Sequence, residues 1–166
     1  MAEEMVRILV DHMSNLLFAP SDLASKFLEK EGIKNNKFVV GNTVVDACLK
    51  YSKIADKESN ILDTLDLQKD EYSLATIHRA ENVDSPQKLI KILRALSSLE
   101  KQIVIPIHPR HKKRLGEFGF SVPSNIKSIE PLGYLDTLKL MKNSAFVLTD
   151  SGGVQEEAIT LKTPCI

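Results

Sequence analysis

The chain has 166 residues, 43% of them hydrophobic and 27% charged, and its 22 Lys+Arg balance its 22 Asp+Glu. That is enough apolar material for a sizeable core. The zero net charge and the 5% aromatic content argue against a nucleic-acid module or a partner for anionic membranes. Cys48 and Cys165 stand in no metal or redox spacing and read as buried thiols in a reducing compartment. No signal-peptide pattern and no apolar run of membrane-spanning length occurs, so a cytoplasmic protein with no membrane partner is expected.

The first part reads as alternating helix and strand. Residues 5–10 have helical character and 16–19 a short strand. Ser21 is placed to cap a helix carrying Leu23, Phe27 and Leu28, which Gly32 stops. A brief strand over 38–40 leads through the turn Gly41-Asn42-Thr43 to a helix bearing Val44, Val45, Cys48 and Leu49. From 54 to 70 charge rises and periodicity weakens, which predicts a linker with at most one helical turn.

The second part is clearer. A strand over 72–77 precedes Ser85-Pro86, where Ser sits at the cap and Pro in the first turn. Leu89, Ile92, Leu93 and Leu96 then follow at one helical face. Strands are predicted over 103–107, 126–129 and 145–148, helices over 135–142 and 152–161, a basic helix or loop over 108–118, and a further strand from 163. Alternating strands and helices joined by short turns predict an α/β fold: parallel sheets covered on both faces, binding ligands beyond the carboxyl ends of the strands. Both ends fall where a domain would be unfinished, so truncation at each is expected.

The strongest chemical signal is Thr149-Asp150-Ser151-Gly152-Gly153-Val154-Gln155-Glu156-Glu157-Ala158, which follows an apolar strand and opens a helix. Ser151 is expected to cap that helix. Gly152 and Gly153 lack the Cβ that would hold an anion away from the backbone, and the free N–H groups of a helix start favour negative charge. A carboxylate in the next turn can accept ribose hydroxyls. The bland reading is a well-capped structural helix with solvated acids. A second segment, His78-Arg79-Ala80-Glu81-Asn82, again stands at a strand end. Its Arg suits a diphosphate, and imidazoles transfer protons near neutral pH; a satisfied histidine beside a solvated arginine is the alternative. A third, Pro106-Ile107-His108-Pro109-Arg110, leads into Lys112, Lys113 and Arg114, which read as a solvated face. Glu3-Glu4 near a helix start signifies by itself only dipole matching. The 4 histidines lack the spacing of a ligand set, so no metal site is expected.

Taken together, these segments resemble the non-hydrolysing UDP-N-acetylglucosamine 2-epimerases. The match runs in order over essentially the whole chain: Glu3-Glu4 with Arg7, Phe18-Ala19-Pro20-Ser21, residues 40–47, His78 to Asn82, Pro106 to Pro109, and Thr149 to Ala158. The resemblance implies Rossmann-like domains in the two-domain glycosyltransferase-B arrangement. Residues 1–56 would be the end of the first domain, 57–70 a linker and 71–166 the larger part of the second, UDP-binding domain. It implies interconversion of UDP-GlcNAc and UDP-ManNAc by elimination and re-addition of UDP, with no cofactor, and a homodimer for full-length relatives. It assigns the diphosphate to His78, Ser151, Gly152 and Gly153, the ribose to Glu157, and acid/base work to Glu3 and His78. Arg79 and His108 correspond to positions beside a regulatory UDP-GlcNAc site in bacterial members. Thr137 stands where many members carry an aromatic residue beside the uracil, and Ala80 where many carry a second arginine. Because other catalytic carboxylates belong to segments preceding this chain, the chain alone is expected not to turn over. A glycosyltransferase of the same fold and a non-catalytic remnant are the competing readings.

Overall fold

The computed structural model describes residues 2–166, which form two compact units, one ending at Asp46 and the other running from Ala47 to Ile166.

In the first unit, α1 (Ala2–Met13) and β1 (Leu17–Ala19) precede α2 (Asp22–Lys30) and β2 (Lys37–Val39). The strands are parallel, with Phe18 opposite Phe38. Ser21 caps α2 as expected, its hydroxyl accepting the Ala24 N–H at 3.2 Å. Gly32 ends the segment at φ +94°, a conformation that Gly adopts without strain. Arg7 of α1 reaches Glu31 at 2.6 Å and also pairs with Glu4 and Asp11. The buried apolar core of this unit is small, comprising Leu17, Ala19 and Leu28. Met5, Leu9, Phe18, Phe27 and Phe38 are exposed.

Helix α3 (Thr43–Glu58) crosses into the second unit and is followed by α4 (Ile61–Thr64). The stretch expected to be a linker is therefore partly helical and anchored. Ala55 and Ile61 are buried, Ser59 donates to Asp136 at 2.5 Å, and Lys142 pairs with Asp56 at 2.6 Å. Its high charge reflects a solvated outer face, which weakens periodicity without preventing a helix. The compact units also divide earlier than the expected boundary near Asp56.

The remainder runs β3 (Tyr72–Thr76), α5 (Ala80–Val83), α6 (Pro86–Ser97), β4 (Gln102–Pro106), α7 (Pro109–Glu117), β5 (Ile126–Ile129), α8 (Tyr134–Asn143), β6 (Val147–Thr149) and α9 (Gly152–Thr160). The strands form a parallel sheet in the order β5-β4-β3-β6, and Cys165 makes a parallel bridge to Val147 beyond β6. Alternation along the strands separates the two faces. Ala75, Ile103 and Ile105 pack with Leu89, Leu93 and Leu96 of α6 and Leu115 of α7. Tyr72, Leu74, Val104 and Val147 pack with Ile61 of α4, Leu140 and Met141 of α8, and Ala158 of α9. The α/β class, the parallel sheet and the covering of both faces are as the sequence predicts. Among the described residues no helix is long and apolar enough to cross a membrane.

Candidate functional site

Strand order locates the site before any side chain is considered. From β3 the chain winds outward through β4 to β5, then returns to the other side of β3 as β6. The connections above β3 and β6 therefore diverge, leaving a crevice at the carboxyl ends of these neighbours, the switch point where such sheets bind ligands. His78 and Arg79 follow β3, and Asp150 to Gly153 follow β6, so the two strongest sequence motifs meet there.

The meeting is hydrogen-bonded. Thr76 and Thr149 are paired in register, and the Thr76 hydroxyl donates to the Thr149 hydroxyl at 2.7 Å. That same Thr149 oxygen accepts the Ser151 N–H at 3.0 Å. The Asp150 carboxylate accepts the backbone N–H of His78 at 2.9 Å, that of Arg79 at 3.1 Å and the Asn82 side-chain amide at 2.7 Å. Arg79 Nε donates to the Asp150 carbonyl at 2.8 Å. Partial burial pushes the Asp150 carboxyl up, but the His78 N–H, the Asn82 amide and the Arg79 N–H outweigh it and hold the group below its ordinary value.

Ser151 occupies the position before α9 with extended backbone (φ −103°, ψ 122°), but its hydroxyl makes no capping bond. This corrects the expectation of a side-chain cap: Ser151 instead donates its own N–H to Thr149, and its hydroxyl is not spent on the helix. A Cβ at Gly152 would meet nothing within 4 Å, and one at Gly153 only the Ser151 Oγ at 4.0 Å. Neither glycine has the positive φ that would require it. Internal packing thus gives no reason for either glycine, whereas close approach of an anion to the N–H groups does.

Glu157 lies on α9 four residues beyond Gly153, on the same face and about 6 Å along the axis. Its backbone carbonyl accepts from Cys48 Sγ of α3 at 3.8 Å, and its carboxylate acts electrostatically on the Tyr134 phenol at the start of α8. Burial first, and then the Glu157 carboxylate, push the Tyr134 phenol well above its ordinary value. Tyr51 meets Tyr134 edge-on, with ring centroids 5.9 Å apart. The Cys48 thiol is pushed up by burial and by Glu157, so it stays protonated and structural.

His108 follows β4. It is exposed, and its Nδ1 accepts the Arg110 N–H at 3.2 Å, which leaves Nε2 to carry the proton of the neutral ring. With His78, His111, Ile107 and Pro131 it lines a cavity of about 250 Å³ beside the switch point. Glu3 is exposed on the first turn of α1 in the other unit, and it is Glu4 that pairs with Arg7. Among the described residues no group of His, Cys, Asp and Glu is arranged to hold a metal.

The structure thus brings His78 and Arg79 together with Ser151, Gly152 and Gly153, sets Glu157 one turn along the same helix, and places His108 at the next strand end. Sequence reasoning assigned no role to Asp150, Asn82 or Tyr134. The available signal for the first was an Asp directly between a strand end and a Gly-Gly helix start.

These features define a Rossmann-like α/β protein with a Gly-Gly helix start at its switch point. The chain belongs to the UDP-N-acetylglucosamine 2-epimerase family, whose model matches residues 1–166. It is 50% identical to a UDP-N-acetylglucosamine 2-epimerase of Methanocaldococcus jannaschii over 177 residues, covering all of this chain and 48% of that protein. It is 37% identical to a UDP-2,3-diacetamido-2,3-dideoxy-D-glucuronate 2-epimerase of Pseudomonas aeruginosa, covering all of this chain and 47% of that one. The crystal structure of the M. jannaschii UDP-GlcNAc 2-epimerase in complex with UDP-GlcNAc and UDP superimposes with a TM-score of 0.85 at 49% identity, over 99% of this chain and 48% of that one. The chain spans about half the length of the relatives it matches.

Proposed function

We propose that this chain carries the UDP-binding part of an enzyme that epimerises a UDP-linked amino sugar at C2, with UDP-GlcNAc and UDP-ManNAc as the exchanging pair. The observation that carries the proposal is the meeting of the His78-Arg79 turn with an α9 start whose two glycines leave room for an anion. The relatives share a UDP-linked sugar and a 2-epimerisation, although the sugar itself differs between them.

The reaction breaks the anomeric C–O bond to UDP with loss of the C2 proton, giving 2-acetamidoglucal and free UDP. UDP then re-adds after protonation on the opposite face. UDP is both leaving group and returning nucleophile, so the largest demand on the protein is to hold the diphosphate charge throughout. His78, the Ser151 hydroxyl and the N–H groups of Gly152 and Gly153 fill that role, Glu157 accepts the ribose hydroxyls, and Glu3 is an acid/base carboxylate. Arg79 and His108 serve a second, regulatory nucleotide-sugar position. The complete enzyme adopts the two-domain glycosyltransferase-B arrangement, with residues 71–166 in its UDP-binding domain. Unpaired thiols at Cys48 and Cys165 suit a cytoplasmic setting.

Calorimetric titration with UDP tests the reading. The wild-type chain binds, and Ser151→Ala/Glu157→Ala abolishes the heat while leaving the circular dichroism unchanged. A folded chain that gives no UDP heat contradicts it. The 166-residue chain, which spans about half the length of its relatives, is expected to yield no UDP-ManNAc from UDP-GlcNAc; measurable epimerisation would show that the chemistry is carried here.

A further inference from the structure

We propose that Asp150 is a positioning residue of this site: its carboxylate clamps the backbone of His78 and Arg79 and the amide of Asn82, and so fixes the turn after β3 against the start of α9. The inference rests on the UDP-binding reading above. A carboxylate beside a diphosphate would ordinarily repel it, so an Asp at the head of an anion-binding helix needs a compensating reason. The structure supplies one. Asp150 accepts from His78 N at 2.9 Å, Arg79 N at 3.1 Å and Asn82 Nδ2 at 2.7 Å, and its carbonyl takes Arg79 Nε at 2.8 Å. With three donors on the carboxylate, its acceptor sites are taken up within the turn and its charge is stabilised there. The neighbouring ionisable groups are His78, Arg79 and Glu81, the last 3.8 Å from Arg79.

The clamp also decides which groups of the turn remain for a ligand. The N–H groups of His78 and Arg79 and the Nε of Arg79 are occupied. The His78 imidazole is what remains of the turn for a ligand, carried on a backbone that Asp150 holds, while Arg79 Nη1 pairs with Glu81 at 3.8 Å. Without the carboxylate, the turn and the helix start would be joined here by the Arg79 Nε bond to the Asp150 carbonyl and by the Thr76–Thr149 hydroxyl pair. Positioning errors of about 1 Å cost a site orders of magnitude, so the clamp should affect affinity more than fold.

Two readouts test this on the 166-residue chain. The first is the ¹H–¹⁵N spectrum. The His78 and Arg79 amides move together as pH falls below the ordinary Asp value of about 3.9, and Asp150→Asn removes that step and shifts both amides upfield at neutral pH. The second is UDP affinity by calorimetry, which falls tenfold or more in Asp150→Asn and about threefold in Asn82→Ala, where only one arm of the clamp is lost. If Asp150→Asn does not fold, Asn82→Ala carries the comparison. Amides insensitive to Asp150 would overturn the clamp. Sensitive amides with unaltered UDP affinity in Asp150→Asn would make it structural only and overturn the positioning role. Failure of the wild-type chain to bind UDP would sink the nucleotide reading and the positioning role with it, while the amide response would still report the clamp by itself.

Discussion

Gly153→Ala separates a glycine kept for the fold from one kept for a ligand. Gly153 lies in the first turn of α9, without positive φ, and an added Cβ would meet only the Ser151 Oγ at 4.0 Å, an ordinary contact. The fold should therefore gain. Ala is favoured over Gly in a helix by roughly 0.5–1 kcal/mol, which for a chain of this size raises the melting temperature by about 1–4 °C. Binding should lose. In the proposed site the methyl group would occupy the space through which phosphate oxygens reach the helix-start N–H groups, and one charge-assisted hydrogen bond is worth about 1.5–3 kcal/mol, or tenfold and upward in affinity. Thermal denaturation followed by circular dichroism and UDP titration by calorimetry read the two effects on one preparation. A variant that melts lower than wild type would show that packing requires the glycine. A variant that binds UDP as tightly as wild type would show that no phosphate approaches there.

Further tests address the fold that carries the site. Tyr72 is buried and donates its hydroxyl to the Leu140 carbonyl at 2.6 Å, so Tyr72→Phe should cost about 1–3 kcal/mol in urea denaturation. Burial first, and then Asp70, raise the Tyr72 phenol in the folded state. Its stabilisation is therefore complete below the unfolded value of about 10 and fades as pH climbs above it, so Tyr72→Phe should flatten the alkaline limb of the stability profile; an unchanged limb would contradict this. Among the described residues the buried Ser73 hydroxyl has no hydrogen-bond partner, so Ser73→Ala should raise stability by about 1 kcal/mol, and a loss would mean that the hydroxyl is satisfied. The first unit has a small core and a two-stranded sheet. Its amides over 17–19 and 37–39 should exchange with deuterium well before those of β3 and β4, and equal protection would contradict the weak-unit reading.

Much of the architecture was legible because single signals agreed with one another. The Leu89-Ile92-Leu93-Leu96 spacing had one helical solution, and Ser85-Pro86 fixed its start; α6 follows both. Parallel pairing followed from alternating elements, and the switch point follows from the strand order, which no local pattern encodes. Within 54–70 the helical content exceeds what periodicity indicates, because the polar face is dense in charge while the buried anchors, Ala55 and Ile61, are few. At the site, position after a strand picked out His78 and the Ser151-Gly152-Gly153 start. Asp150 went without a role because its partners are the backbone of residues more than 70 positions away, a pairing visible only once β3 and β6 lie side by side. Tyr134 has a similar explanation, since Glu157, which raises its phenol, stands on a different helix. The unused Ser151 hydroxyl could not be foreseen, because a Ser before a helix normally caps it.

The central claim is that UDP sits at the start of α9 against the turn after β3. Titrating UDP into the ¹⁵N-labelled chain and mapping amide shifts tests it most directly. The account predicts saturable perturbations concentrated at His78, Arg79 and residues 151–154, with a smaller set around Glu157 and Tyr134. Saturable binding whose perturbations lie elsewhere, or a well-dispersed spectrum that UDP leaves unchanged, would contradict it.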